Sequence, residues 1–176
     1  YDSSILTKDK LYKNALSLYK VKDSLEQYLS KKTNELFDLD DKIMLYDLTN
    51  TYFEGEKRNS KLAKFGRSKE KRSDAKLVVL GMVVNQQGFI KYSSIFEGNM
   101  ADNKTLIDTI KKLRTSSSDN TKKALVVIDA DISTEENLKA IKEENFDYLC
   151  VTRSYLKNYK TSDTANIKTI TDTKGQ

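Results

Sequence analysis

Asp47 ends the apolar run Ile43-Met44-Leu45-Tyr46, and Asp129 ends Ala124-Leu125-Val126-Val127-Ile128. A carboxylate beside buried apolar side chains is costly unless its charge is compensated, and a divalent cation is a strong compensator. The pair is therefore a candidate metal site. Taken singly, each aspartate reads more simply as the opening residue of a turn. It is the occurrence of two, 82 positions apart in one chain, that points to chemistry. Histidine is absent and Cys150 is the single cysteine, which excludes a zinc site of the usual kind and an intramolecular disulfide. Within Tyr148-Leu149-Cys150-Val151, that thiol reads as a small buried side chain.

A second chemical feature is basic. The 176-residue chain carries a net charge of +5. Between Glu56 and Lys76 stand nine basic residues (Lys57, Arg58, Lys61, Lys64, Arg67, Lys69, Lys71, Arg72 and Lys76) against Glu56, Glu70 and Asp74, so this stretch holds the whole positive excess. Such a run suits either a solvated connection or a phosphate backbone. No apolar run approaches the roughly 18 residues of a membrane span, and Tyr1-Asp2-Ser3-Ser4 has no signal-peptide character. The expectation is a cytoplasmic protein with no membrane partner.

Elements must place these groups. Leu11, Ala15, Leu18, Leu25, Leu29 and Leu36 recur at near-helical spacing, which predicts one long or two shorter amphipathic helices over 8–37 with Thr7 as N-cap and the leucine stripe as a packing surface. The period then changes. Strands are expected at 42–53, 77–85 and 89–96, with Asn85-Gln86-Gln87-Gly88 turning a hairpin between the last two. Asp102 is placed to cap a helix to about 113, followed by a polar loop at 116–121. Residues 124–128 are apolar throughout, the pattern of a strand covered on both faces. Ser133 and Glu136 form a capping box for a helix to about 144, and 146–151 reads as the fifth strand. Helices between later strands imply parallel pairing. This is the element order of the ribonuclease H-like fold, a mixed α/β sheet of five strands with flanking helices. There the first strand lies beside the fourth, which would bring Asp47 to Asp129.

Five ordered blocks then carry a family resemblance. They are Tyr46-Asp47-Leu48-Thr49-Asn50-Thr51-Tyr52-Phe53-Glu54-Gly55; Phe65-Gly66-Arg67-Ser68-Lys69-Glu70-Lys71-Arg72-Ser73-Asp74; Leu80-Gly81-Met82-Val83-Val84; Phe96-Glu97-Gly98-Asn99-Met100-Ala101-Asp102 with Thr105-Leu106; and Val126-Val127-Ile128-Asp129-Ala130 before Glu136-Asn137-Leu138. Together they resemble the IS4-type DDE transposases of bacterial insertion sequences, in the IS1634-like branch.

The resemblance implies an enzyme that cuts and rejoins double-stranded DNA, both transposon ends and target, with two Mg²⁺ or Mn²⁺ ions held by Asp, Asp and Glu. It implies a homodimer in the synaptic complex. Asp47 matches the first acid and Asp129 the second. The third belongs on a downstream helix after an inserted β-rich region, and no residue of this chain matches it: Glu135, Glu136, Glu143 and Glu144 all fall on the helix directly after Asp129. Asp131 stands where the family has Gly, either as a further metal ligand or as a cap for the following turn. Contacts to the DNA backbone are expected from Lys64, Arg67, Ser68, Lys69 and Arg72.

The expected organisation is a helical segment at 1–40, an incomplete ribonuclease H-like catalytic core at 41–160 that stops before the final catalytic helix, and a polar tail at 161–176 opening an insertion. On this view the chain is a fragment with little or no turnover. Two other classes stay open: a non-catalytic nucleic-acid-binding module derived from a transposase, and an interaction domain assembled through the N-terminal helices.

Overall fold

A computed structural model describes residues 6–66, 73–116 and 123–151. Two helices, α1 (Lys8–Lys20) and α2 (Lys22–Phe37), precede the strands β1 (Ile43–Tyr52), β2 (Leu77–Asn85) and β3 (Ile90–Glu97). After a short 3-10 turn at Asp102–Lys104 come α3 (Leu106–Ser116), β4 (Leu125–Ile128), α4 (Glu135–Glu143) and β5 (Asp147–Cys150). The sheet order is β3-β2-β1-β4-β5. The first three strands pair antiparallel, while β4 runs parallel to both β1 and β5. This is the ribonuclease H-like architecture.

Alternation in β1 explains its placement. Met44, Tyr46 and Leu48 are buried while Leu45, Asp47 and Thr49 face outward, the period of two that a sheet with one covered face demands. The covered face meets Leu106, Ile110 and Leu113 of α3 and Leu138 and Ile141 of α4, with Val126, Ile128, Ile132 and Phe146 completing the core. Thr7 caps α1 as expected, its hydroxyl accepting the Lys10 N–H. The hairpin is as expected too, with Gly88 at φ +86°, and the Asn85 side chain accepts the N–H groups of Gln87 and Phe89.

Several expectations are corrected. In β4 only Val126 and Ile128 are buried, while Leu125 and Val127 are half-exposed, so the strand is covered on one face rather than two. Asp102 lies inside the 3-10 turn and not at the cap of α3. The cap of α4 is Thr134, which accepts the Asn137 N–H, because the Ser133 hydroxyl is drawn to the carbonyls of Val151 and Ala130. Cys150 is half-buried. The expected loop at 117–121 and the tail lie outside the described residues.

The leucine stripe is the largest correction. Neither α1 nor α2 has a buried residue, and Leu11, Leu18, Leu29 and Leu36 are all exposed. Instead α2 docks through its polar face onto the edge strand β3. Lys22 donates to the Ser93 carbonyl at 2.6 Å, and Glu26 accepts both the N–H and the hydroxyl of Ser93. An edge strand leaves such backbone groups unpaired, and here two side chains satisfy them.

A close backbone approach fixes the start of the basic stretch. Lys64 exchanges hydrogen bonds with Leu77 at 3.1 and 2.9 Å, and Gly98 donates to the Leu62 carbonyl at 3.0 Å. A Cβ on Gly98 would collide with the Leu77 carbonyl and lie 2.7 Å from that of Lys64, and one on Gly66 would collide with Gly98. Only glycine fits where the two segments cross. Gly98→Ala is expected to cost about 2 kcal/mol, the scale of overpacking, and to lower the melting temperature by roughly 4–8 °C. Thermal denaturation measures this; an unchanged melting temperature would show that the loop simply moves aside.

Candidate metal centre

The β1/β4 register bears on where Asp47 and Asp129 stand. The parallel pairing of β1 with β4 aligns Met44 with Val126 and Leu45 with Val127. Two positions beyond the last pair, on that same register and the same face, come Asp47 and Asp129. Neighbouring strands lie about 4.8 Å apart, so the register, continued two positions past its last pair, makes Asp47 and Asp129 neighbouring positions at the end of β4. Both residues are exposed.

Each carboxylate is held by main-chain donors. Asp47 Oδ1 accepts the Leu48 N–H at 2.8 Å. Asp129 Oδ1 accepts the N–H groups of Asp131 at 3.1 Å and Ile132 at 3.2 Å, closing the turn after β4. The turn is thus capped by Asp129, with Asp131 supplying a donor.

The neighbours of Asp47 anchor it. Tyr46 points into the core, where its phenol donates to Thr105 at 2.8 Å and the Thr105 hydroxyl passes its proton toward the Asp102 carbonyl at 2.6 Å. Burial pushes the Tyr46 phenol above its ordinary pKa, against a smaller opposite pull from Thr105 and Thr109. It stays a neutral donor, and β1 is pinned one residue before the acid.

The donor set suits a hard cation, for which carboxylate oxygens are the natural ligands. Asp47 and Asp129 fit such an ion as part of a site. Among the described residues there is no group of three or more carboxylate, Cys or His side chains able to hold a metal, so these two acids stand without a third.

Of the expected DNA contacts, Lys64 is half-buried and fixed by its bridge to Leu77. Arg67, Ser68, Lys69 and Arg72 lie outside the described residues. Leu77 pairs with Tyr52, five positions along β1 from Asp47, which puts the root of the basic stretch about 16 Å along that strand from Asp47.

Sequence reasoning missed Asn137. It is 1% exposed on α4 and donates at 2.8 Å to both the Ile132 and Asn103 carbonyls. An asparagine on the buried face of a helix was its available signal.

Comparison with solved structures finds transposases, all at low identity. Among solved structures the chain is similar to the catalytic domain of Mos1 mariner transposase (TM-score 0.45, 9% identity, covering 75% of this chain and 60% of that one). It is also similar to the Mos1 mariner paired end complex with Mn (0.44, 13%, 72% and 40%) and to a piggyBac transposase synaptic complex with hairpin DNA (0.48, 10%, 69% and 25%). The chain thus spans 25% to 60% of the length of these proteins. The sequence matches no family model and no curated protein. Among the described residues, no helix is long and apolar enough to cross a membrane.

Proposed function

We propose that this chain is part of the catalytic core of a DDE-type DNA transposase, of the IS4 (IS1634-like) kind, acting in the bacterial cytoplasm as a homodimer on double-stranded DNA. The observation that supports this reading is the parallel register of β1 with β4, which, continued two positions, makes neighbours of Asp47 and Asp129. Asp47 and Asp129 would be the residues of this chain that hold the divalent cations, Mg²⁺ or Mn²⁺. Bound there, divalent cations would supply Lewis-acid stabilisation for phosphodiester cleavage and strand transfer. The residues of this chain hold the two acids on rigid strands, one rooted by Tyr46 and the other by the turn after β4. The third acid would come from a helix packed on the open face, where Leu45, Ile95 and Leu149 are exposed.

The basic stretch would hold the DNA backbone. Replacing Lys64, Arg67, Lys69 and Arg72 together by Ala is expected to weaken binding across all sequences. It should also flatten the plot of log affinity against log salt by about 0.9 for each phosphate that is no longer neutralised. A slope equal to wild type would place the DNA elsewhere.

The pair of acids without a third favours one other reading for the chain alone, a nucleic-acid-binding module without turnover. A crystal soaked in Mn²⁺ tests the proposal. Anomalous density touching both Asp47 and Asp129 is expected, and its absence at saturating Mn²⁺ would leave the binding module as the better account.

A further inference from the structure

The geometry points to Asn137 as a positioning residue for the Asp129 carboxylate, an inference that rests on the metal-site reading above. Asp129 takes its orientation from the Asp131 and Ile132 N–H groups, so whatever fixes those peptides fixes the acid. The turn from Asp129 to Thr134 is closed by a long bond from the Ile132 N–H to the Asp129 carbonyl at 3.4 Å, so what else holds Ile132 bears on its conformation. The Ile132 side chain is buried in the core at 1% exposure. Its carbonyl accepts from the Thr134 N–H at 2.9 Å and from Asn137 Nδ2 at 2.8 Å.

The second proton of the Asn137 amide goes to the Asn103 carbonyl at 2.8 Å, in the 3-10 turn ahead of α3. One side chain therefore ties three things together: the helix α4 that carries it, the turn that presents Asp129, and the turn that leads into α3. Two adjacent anchors support the arrangement. Asn137's own N–H is taken by the Thr134 cap, and the Ser133 hydroxyl binds the Val151 carbonyl at 2.8 Å.

The choice of side chain follows from this geometry. Leucine matches the volume but donates nothing, leaving the Ile132 carbonyl with the Thr134 N–H alone and the half-buried Asn103 carbonyl without this donor, and aspartate has no N–H to give. Outer partners that orient a ligand commonly change metal affinity without touching the ion. Asn137 is placed to act in that way through Ile132.

The test compares Asn137→Leu with Ile141→Val, which trims the same buried helix face away from the turn. Two quantities are measured on the whole chain: hydrogen exchange of the Asp131 and Ile132 amides without metal, and Mn²⁺ affinity from paramagnetic broadening. Asn137→Leu is expected to expose both amides to exchange and to weaken Mn²⁺ binding roughly tenfold, while Ile141→Val leaves both unchanged. If the leucine variant does not fold, Asn137→Ser, too short to reach both carbonyls, replaces it. Unchanged affinity or unchanged exchange in the Asn137 variant overturns the inference, as does an equal loss in Ile141→Val. A wild-type chain that binds no Mn²⁺ overturns the metal reading instead, and the exchange result still decides whether Asn137 holds the turn.

Discussion

Asp47→Asn is expected to abolish the Mn²⁺ density between β1 and β4 and to lower Mn²⁺ affinity on the order of a hundredfold or more. The size follows from the site's poverty in ligands. Losing an outer partner already costs tenfold to a hundredfold at metal sites, and Asp47 is one of only two acids that the described residues bring together here. Asparagine keeps the shape and an oxygen that can accept the Leu48 N–H, so the strand and its pairing with β4 are preserved. The substitution removes only the charge. Folding should therefore be unaffected, with a melting temperature within about a degree of wild type, because an exposed strand residue away from the core contributes little. DNA binding should persist as well, since the basic stretch is a separate feature. Calorimetric or relaxation titration with Mn²⁺, run beside a DNA mobility assay, separates the effects. Retained Mn²⁺ affinity in Asp47→Asn would remove this residue from the site and leave the β1/β4 register without a catalytic meaning.

That register explains why so much was legible from residues alone. The alternation of Met44, Tyr46 and Leu48 with Leu45, Asp47 and Thr49 is strong because one face is buried and the other is not, and a slip of one residue would invert it. The five strands follow from similar patterns, and their order from the element order of the ribonuclease H-like fold; the expected meeting of Asp47 with Asp129 agrees with the β1/β4 register continued two positions. What was not legible is where polar groups, rather than apolar ones, hold the elements together. Periodicity marks Leu11, Leu18, Leu29 and Leu36 as a packing stripe. Helix α2 nonetheless attaches through Lys22, Glu26, Ser30 and Asn34, a face that hydrophobic patterning assigns to solvent. Local caps failed for a similar reason. Ser133 has the right type and spacing to start α4, but a carbonyl 18 residues away competes for its hydroxyl and the cap moves to Thr134. Besides Asn137, a sequence signal for such polar tertiary contacts was Lys91, a lone cation inside the strand run Phe89-Ile90-Lys91-Tyr92.

Lys91 carries the second large effect. Its side chain is 3% exposed and its ammonium lies 2.8 Å from Asp41 Oδ2, with Asn34 Oδ1 at 2.6 Å and Ser30 Oγ at 3.2 Å. Asp41 in turn accepts from Asn34 Nδ2 at 2.7 Å and from Asn85 Nδ2 at 3.3 Å. The cluster joins α2, the β2–β3 hairpin and the segment leading into β1. Asp41→Ala leaves a buried ammonium with neutral acceptors only, and removing one partner of a buried pair costs about 3–5 kcal/mol in general. Because the Asp41 side chain is 22% exposed, water can reach it, and the lower end of that range, about 3 kcal/mol, is the expected loss. The melting temperature should fall by roughly 6–12 °C.

A double variant distinguishes charge from shape. Asp41→Asn with Lys91→Met removes both charges while an amide oxygen still serves Asn34 and Asn85, and it should be more stable than Asp41→Ala alone. Asp41 lies six residues ahead of Asp47 on the same segment, yet β1 is held independently by β2, β4 and Tyr46. Mn²⁺ affinity of the folded Asp41→Ala protein should therefore match wild type. A melting temperature unchanged in Asp41→Ala would mean that the pair is solvated and that α2 is held by its hydrogen bonds with Ser93. A large drop in Mn²⁺ affinity would mean instead that the anchor at the start of β1 sets the position of its acid.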